Sequence, residues 1–181
     1  MRDSLCTSIV SVAESSWPLD PQTHIKLCFW SCNRMVAMES ADPHKLQRFI
    51  DAQHPIYGQV RGELQAGQKE SHWMWFIFPQ LEGLGTSPTA QKYAITGIDE
   101  AKAYLDHPLL GFRLRECTQL VNAVNHRSVE DIFGYPDDKK FHSSMTLFMR
   151  ADPRDKVFTA ALAKYFHGEL DRKTLELLWR T

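Results

Sequence analysis

The sequence predicts an all-α fold, a single compact domain of about eight helices around a buried aromatic segment, and three observations lead there. The first is an unbroken apolar run, Trp73, Met74, Trp75, Phe76, Ile77 and Phe78, bracketed by His72 and by Pro79 and Gln80. Such a run has neither the period of an amphipathic helix nor the alternation of a half-buried strand, so it is expected to be buried on all sides. At roughly 1.5 to 3 kcal/mol per buried large side chain, it is the densest hydrophobic contribution in the chain. It is too short to span a bilayer, which takes about 20 apolar residues. The second observation is apolar residues recurring at helical spacing downstream of Asp42. The third is that no two alternating segments offer themselves as a strand pair.

Residues 1–41 show no sustained period and mix Ser, Pro, Trp17, Trp30 and three cysteines. They are expected to be a poorly ordered extension, upstream sequence carried by the choice of start codon; an arm packed through Phe29 and Trp30 is the competing reading. The helical domain is expected to begin at Asp42 and Pro43, an N-cap followed by a first-turn proline. Leu46, Phe49, Ile50 and Gln53 then form one stripe, interrupted at His54 and Pro55, and Ile56, Val60 and Leu64 form another that stops at Gly67. Ser71 is expected to cap the apolar run as a short helix ended by Pro79, with a buried strand as the competing reading. Gly83 and Gly85 predict a tight loop, and Ser87 with Pro88 restarts a helix carrying Tyr93 and Ile95 to Gly97.

Asp99 is expected to cap a helix over 100–106 with Ala101, Tyr104 and Leu105 inward, broken at His107 and Pro108. The longest clean pattern follows, with Leu110, Leu114, Cys117, Val121 and Val124 on one face. Residues 129–133 predict a single turn stopped by Gly134. Asp137 opens a helix with Phe141, Met145 and Phe148 inward, Asp152 with Pro153 caps the next, and Asp171 starts the last.

Composition removes several function classes. Charged residues make up 24% and the formal net charge is -1, so no global field draws the chain to nucleic acid or anionic lipid. No nucleic-acid or membrane partner is expected. Cys28 and Cys32, with His24 nearby, could be half a zinc site, but nothing completes the four ligands, so no metal is expected. No cofactor is expected either, because phosphate-loop, dinucleotide and metalloprotease motifs are missing. Cys117 reads as a small core residue. The start of the chain carries no signal-peptide pattern, which makes the cytoplasm the expected compartment.

The aromatic run, followed by Gly83, Gly85, Tyr93, Glu100, Ala101, Tyr104, Leu105, His107, Pro108, Gly111, Arg113 and Leu114, resembles the family catalogued as domain of unknown function 1810. Gly134, Pro136, Asp137, Lys140 and the segment from Ser143 to Phe148 match a second block of that family, and the resemblance runs from about Asp42 to Leu178. It implies a mainly helical, compact, bacterial-type fold and carries over no activity. Glu82 beside the glycine loop and His142 before the serines depart mildly from the family pattern. Some members bear the label calpastatin, but nothing in this chain supports protease inhibition.

Polar residues set in apolar surroundings are the informative exceptions. Ser143, Ser144 and Thr146, with Lys140 one turn earlier and Asp137 at the helix start, could form an anion site, or they could cap and back-bond their own helix. His72 and Gln80, with Trp73 and Trp75 between them and the amides leading to Ser87, could hold a planar ligand, or the tryptophans could be core residues bonded to neighbouring carbonyls. His107 reads as a helix C-terminal cap more than as a base, and Arg113 is a further anion-binding candidate. The best reading is a site for a small anionic, nucleotide-like ligand, in which Lys140, Arg113 and the hydroxyls hold the anion while Trp73 or Trp75 stacks on a ring. Hydrolysis lacks an identifiable acid, base or nucleophile. The alternative is a non-catalytic helical protein-interaction module with an exposed apolar patch. Oligomeric state is not legible.

Overall fold

The computed structural model describes residues 42–180, and the expectations for residues 1–41 lie outside them. Ten helices follow in order: α1 (Gln47–Gln53), α2 (Tyr57–Ala66), α3 (Met74–Ile77), α4 (Pro88–Lys92), α5 (Ile98–Asp106), α6 (Pro108–Ala123), α7 (Val129–Phe133), α8 (Asp137–Ala151), α9 (Lys156–Phe166) and α10 (Arg172–Leu178). Counting the short helices α3, α4 and α7 brings the number above the expected eight. The β pairing among the described residues is an isolated parallel bridge between Leu81 and Ile95. None of these helices is long and apolar enough to cross a membrane.

The two longest helices, α6 and α8, organise the packing. Both contact α3, α5 and α9; α6 also receives α1 and α2, while α8 receives α7 and α10. The inward faces are those the helical spacing marks. Leu110, Leu114, Cys117 and Val121 on α6, and Phe141, Met145 and Phe148 on α8, are buried. Where α5 turns into α6 the backbones nearly touch, because a Cβ on Gly111 would lie 2.0 Å from the Leu105 carbonyl oxygen. Only glycine permits that approach.

Two groups of rings fill the core. Phe133 stacks on Phe141 at 4.8 Å, and Phe78 meets Phe141 edge-on at 5.0 Å. Phe49, Tyr104, Phe148 and Phe158 make a second chain of ring contacts. The apolar run supplies part of this core and not all of it. Trp73, Met74, Ile77 and Phe78 are buried, whereas Trp75 and Phe76 are partly exposed. A single helical turn cannot turn every side chain inward, so expected burial on all sides gives way to burial on one side.

Several caps differ from expectation. Asp42 does not start a helix directly: its carboxylate accepts from the amides of Leu46 and Gln47, across a segment with Lys45 at φ 52, so α1 starts at Gln47. Ser71 does not cap the apolar run, because its hydroxyl donates to Glu63. Ser87 does cap α4, accepting from Ala90 N at 3.1 Å, but α4 ends at Lys92 and Ile95 pairs with Leu81 instead of continuing it. Gly97, not Asp99, is the N-cap of α5, and the Glu100 carboxylate accepts from the amide and hydroxyl of Thr96. Asp155 replaces Asp152 as the cap of α9, while Asp171 caps α10. His107 closes α5 through its backbone amide and also caps α6, its Nδ1 accepting from Leu109 and Leu110 amides.

Candidate functional site

An open cleft of about 810 Å³ lies where the end of the apolar run, the glycine loop, the start of α8 and the start of α10 meet. Trp75, Gln80, Ser87, Lys140 and Ser143 line it, which brings together five of the residues marked as site candidates from the sequence. Its volume falls in the range of small-molecule sites, roughly 300 to 1,000 Å³.

Each lining group has a local cause. Gln80 follows Pro79, and its carbonyl accepts from Ile95 N at 2.9 Å, so its backbone is pinned. Its Nε2 donates to Ser143 Oγ at 2.6 Å, and Ser143 Oγ donates to the Lys140 carbonyl at 3.0 Å. The Lys140 ammonium lies 4.5 Å from the Trp75 ring centroid and pairs with Asp137, which also pairs with Lys69 at 2.7 Å. Burial pushes the Asp137 carboxyl up, but the ammonium groups of Lys140 and Lys69 outweigh it and hold the group below its usual range. One carboxylate therefore orients two lysines, each over a tryptophan, since Lys69 lies 5.4 Å from the Trp73 centroid. Asp137 does not itself line the cleft; it anchors Lys140 at its wall.

The remaining candidates lie elsewhere. Trp73 is fully buried and donates to Glu63, so it has no face to offer a ligand. Arg113 is buried on α6, where its guanidinium stacks 4.4 Å from the Tyr57 ring and donates to Gln53, and it does not join Lys140. The face of α6 that carries it packs toward α1 and α2. Ser144 points into the core with no hydrogen-bond partner for its hydroxyl. Thr146 donates to the His142 carbonyl and accepts from the Asp171 amide at 2.9 Å, tying α8 to the start of α10. His72 is exposed and lies outside the cleft lining. The expected pairing of Arg113 with Lys140 and stacking on Trp73 are therefore corrected.

The structure adds residues that sequence reasoning missed: Tyr135, Lys139, His142, Arg172 and Lys173. Tyr135 is 79% exposed, with the Lys139 ammonium 4.9 Å from its ring centroid. His142 stacks on Phe166 at 4.0 Å, and its Nε2 bonds the Glu169 carbonyl at 2.8 Å. Arg172 and Lys173 directly follow Asp171, whose carboxylate is committed to Thr174. Lys139, Arg172 and Lys173 have no ion-pair partner among the described residues. The adjacent pairs Lys139, Lys140 and Arg172, Lys173 were visible in sequence, but nothing there joined them.

The family model described as "Protein of unknown function (DUF1810)" matches residues 43–178. The chain belongs to the DUF1810 family. The crystal structure of the conserved hypothetical protein Rv1873 from Mycobacterium tuberculosis is similar, at 58% identity over 77% of this chain and 100% of that one, with a TM-score of 0.76. No curated protein matches the chain. Every residue of the cleft lies within the DUF1810 match. Among the described residues, no group of three or more His, Cys, Asp and Glu side chains is placed to hold a metal ion.

Proposed function

We propose that the cleft binds a small anionic, nucleotide-like ligand. The observation that carries this reading is the meeting of Lys139, Arg172 and Lys173, none paired with a carboxylate, beside the exposed ring of Tyr135 in one cavity. Unpaired cations at a concave surface attract an anion more strongly than the same charges on a convex one, because low-dielectric walls focus the field. Lys140 is paired with Asp137 and held over Trp75, so its role is to shape the wall while the other three cations meet the charge. Tyr135, not Trp73, supplies the open stacking face.

Calorimetric titration of the full chain with adenosine monophosphate, ribose phosphate and adenosine tests this. The phosphorylated probes are expected to bind and the neutral nucleoside to bind at least tenfold more weakly, with the difference shrinking as salt screens the charge. Replacing Arg172 and Lys173 together by Ala is expected to weaken phosphate-dependent binding about tenfold with the melting temperature unchanged. Equal binding of adenosine and its phosphate would end this reading.

A further inference from the structure

We infer that Gln80 reads the hydrogen-bonding edge of a purine-like ring in the cleft, so that the ligand class is an aminopurine nucleotide. The inference rests on the anion-binding reading of the same cleft and goes beyond it by assigning the uncharged half of the ligand. Its basis is the orientation of one amide. A hydroxyl has a single hydrogen, and the Ser143 hydroxyl gives its hydrogen to the Lys140 carbonyl at 3.0 Å. Toward Gln80 it can then only accept, which matches Nε2 as the donor at 2.6 Å. Ser143 is 2% exposed and sits on α8, while the Gln80 carbonyl is held by Ile95 N, so both ends of the contact are anchored.

A primary amide carries two N–H groups and one carbonyl oxygen. One N–H of Gln80 is used by Ser143, and the other N–H and Oε1 have no partner among the described residues. What remains on this amide at the cleft wall is one N–H and one carbonyl oxygen, and the inference takes Ser143 to hold the N–H anti to Oε1, which leaves the free donor beside the acceptor. That is the complement of an amino group next to a ring nitrogen, the pairing by which Gln and Asn recognise adenine edges. Binding a ring that lacks the amino group would leave Oε1 desolvated without a donor, which costs affinity.

The test compares adenosine monophosphate, the purine ribonucleotide without the exocyclic amino group, and ribose phosphate on the full chain, and repeats the first two on Gln80→Leu. Support is adenosine monophosphate binding about tenfold more tightly than the unsubstituted purine nucleotide, with that preference lost in Gln80→Leu. If the two purine nucleotides bind equally while ribose phosphate also binds, the role of Gln80 is overturned and the anion site survives. A preference that persists in Gln80→Leu also overturns it. If none of the three probes binds, the anion-binding reading fails and this inference falls with it. Should Gln80→Leu not fold, Gln80→Met, which keeps the length of the side chain and removes both amide groups, takes its place: loss of the preference supports the role of Gln80 and its persistence overturns it.

Discussion

The indole Nε1–H of Trp73 donates to Glu63 Oε2 at 2.7 Å, which joins the start of the aromatic run to a buried carboxylate on α2. The same carboxylate accepts from the amides of Glu70 and Ser71, the Ser71 hydroxyl and the Gln59 amide. This explains how a short helix without a side-chain cap of its own is held: its entry is bonded to α2.

Glu63 makes stability sensitive to acid. Burial pushes its carboxyl up, but hydrogen bonds from Ser71, Glu70 and Trp73 overcome that and bring it from 4.5 to about 2. A carboxyl depressed in the folded state contributes stability that is present in full above its unfolded value and is lost as pH falls through the folded one. Between pH 4.5 and 2 the protein is expected to lose about 3 kcal/mol from this group. Glu63→Gln turns a donor toward other donors and is expected to cost about 3 kcal/mol at neutral pH and to flatten the acid dependence. Urea midpoints at pH 7 and 3 check both; an unchanged midpoint at pH 7 would refute the role given to Glu63.

Gly111 and Gly62 are expected to respond to alanine with opposite signs. The Cβ of Gly111→Ala would meet the Leu105 carbonyl, a backbone atom that moves only with α5, and the cost is about 3 kcal/mol or more. Gly62 lies on the exposed side of α2 with nothing within 4 Å of an added Cβ, so Gly62→Ala is expected to gain about 0.5 to 1 kcal/mol. Denaturant midpoints of the two variants decide, and a neutral Gly111→Ala would mean that α5 and α6 do not meet this closely.

His107 is expected to stabilise α6 as a hydrogen-bond acceptor at its start. Its Nδ1 receives the Leu109 and Leu110 amides at 3.2 and 3.3 Å, two of the donors a helix start leaves unpaired. His107→Ala is expected to cost about 1 kcal/mol and His107→Asn to recover most of it, since asparagine is a good N-cap. Thermal midpoints read this directly; equal midpoints for the Ala and Asn variants would contradict it.

Cys117 is expected to resist thiol reagents in the native protein. Burial pushes its thiol up to about 12, so almost no thiolate exists at neutral pH. Peptide mapping after alkylation should find Cys117 unmodified in buffer and modified in urea. Native labelling at the rate of a free thiol would contradict its position on the inner face of α6.

Much of the helical domain was legible because its information is local. Val60 and Leu64 lie inward because residues four apart share a helix face, and Gly67 ends α2 because φ +66 suits glycine. Ser87 and Asp171 cap their helices through bonds that reach only three residues. Two of the misreadings come from partners outside the residues' own helix. Ser71 turned to Glu63 instead of capping the aromatic run, and Arg113 turned to Tyr57 and Gln53 instead of an anion.

By itself, then, the sequence determined the helical class, the inward faces, most of the breaks and the family, all of which follow from spacing along one chain. Only the tertiary structure decided that Lys139 and Lys173, more than thirty residues apart, line one cleft with Gln80. The reason is physical: helix periodicity is set within a few residues, whereas a cavity exists only where separate elements pack and leave a gap.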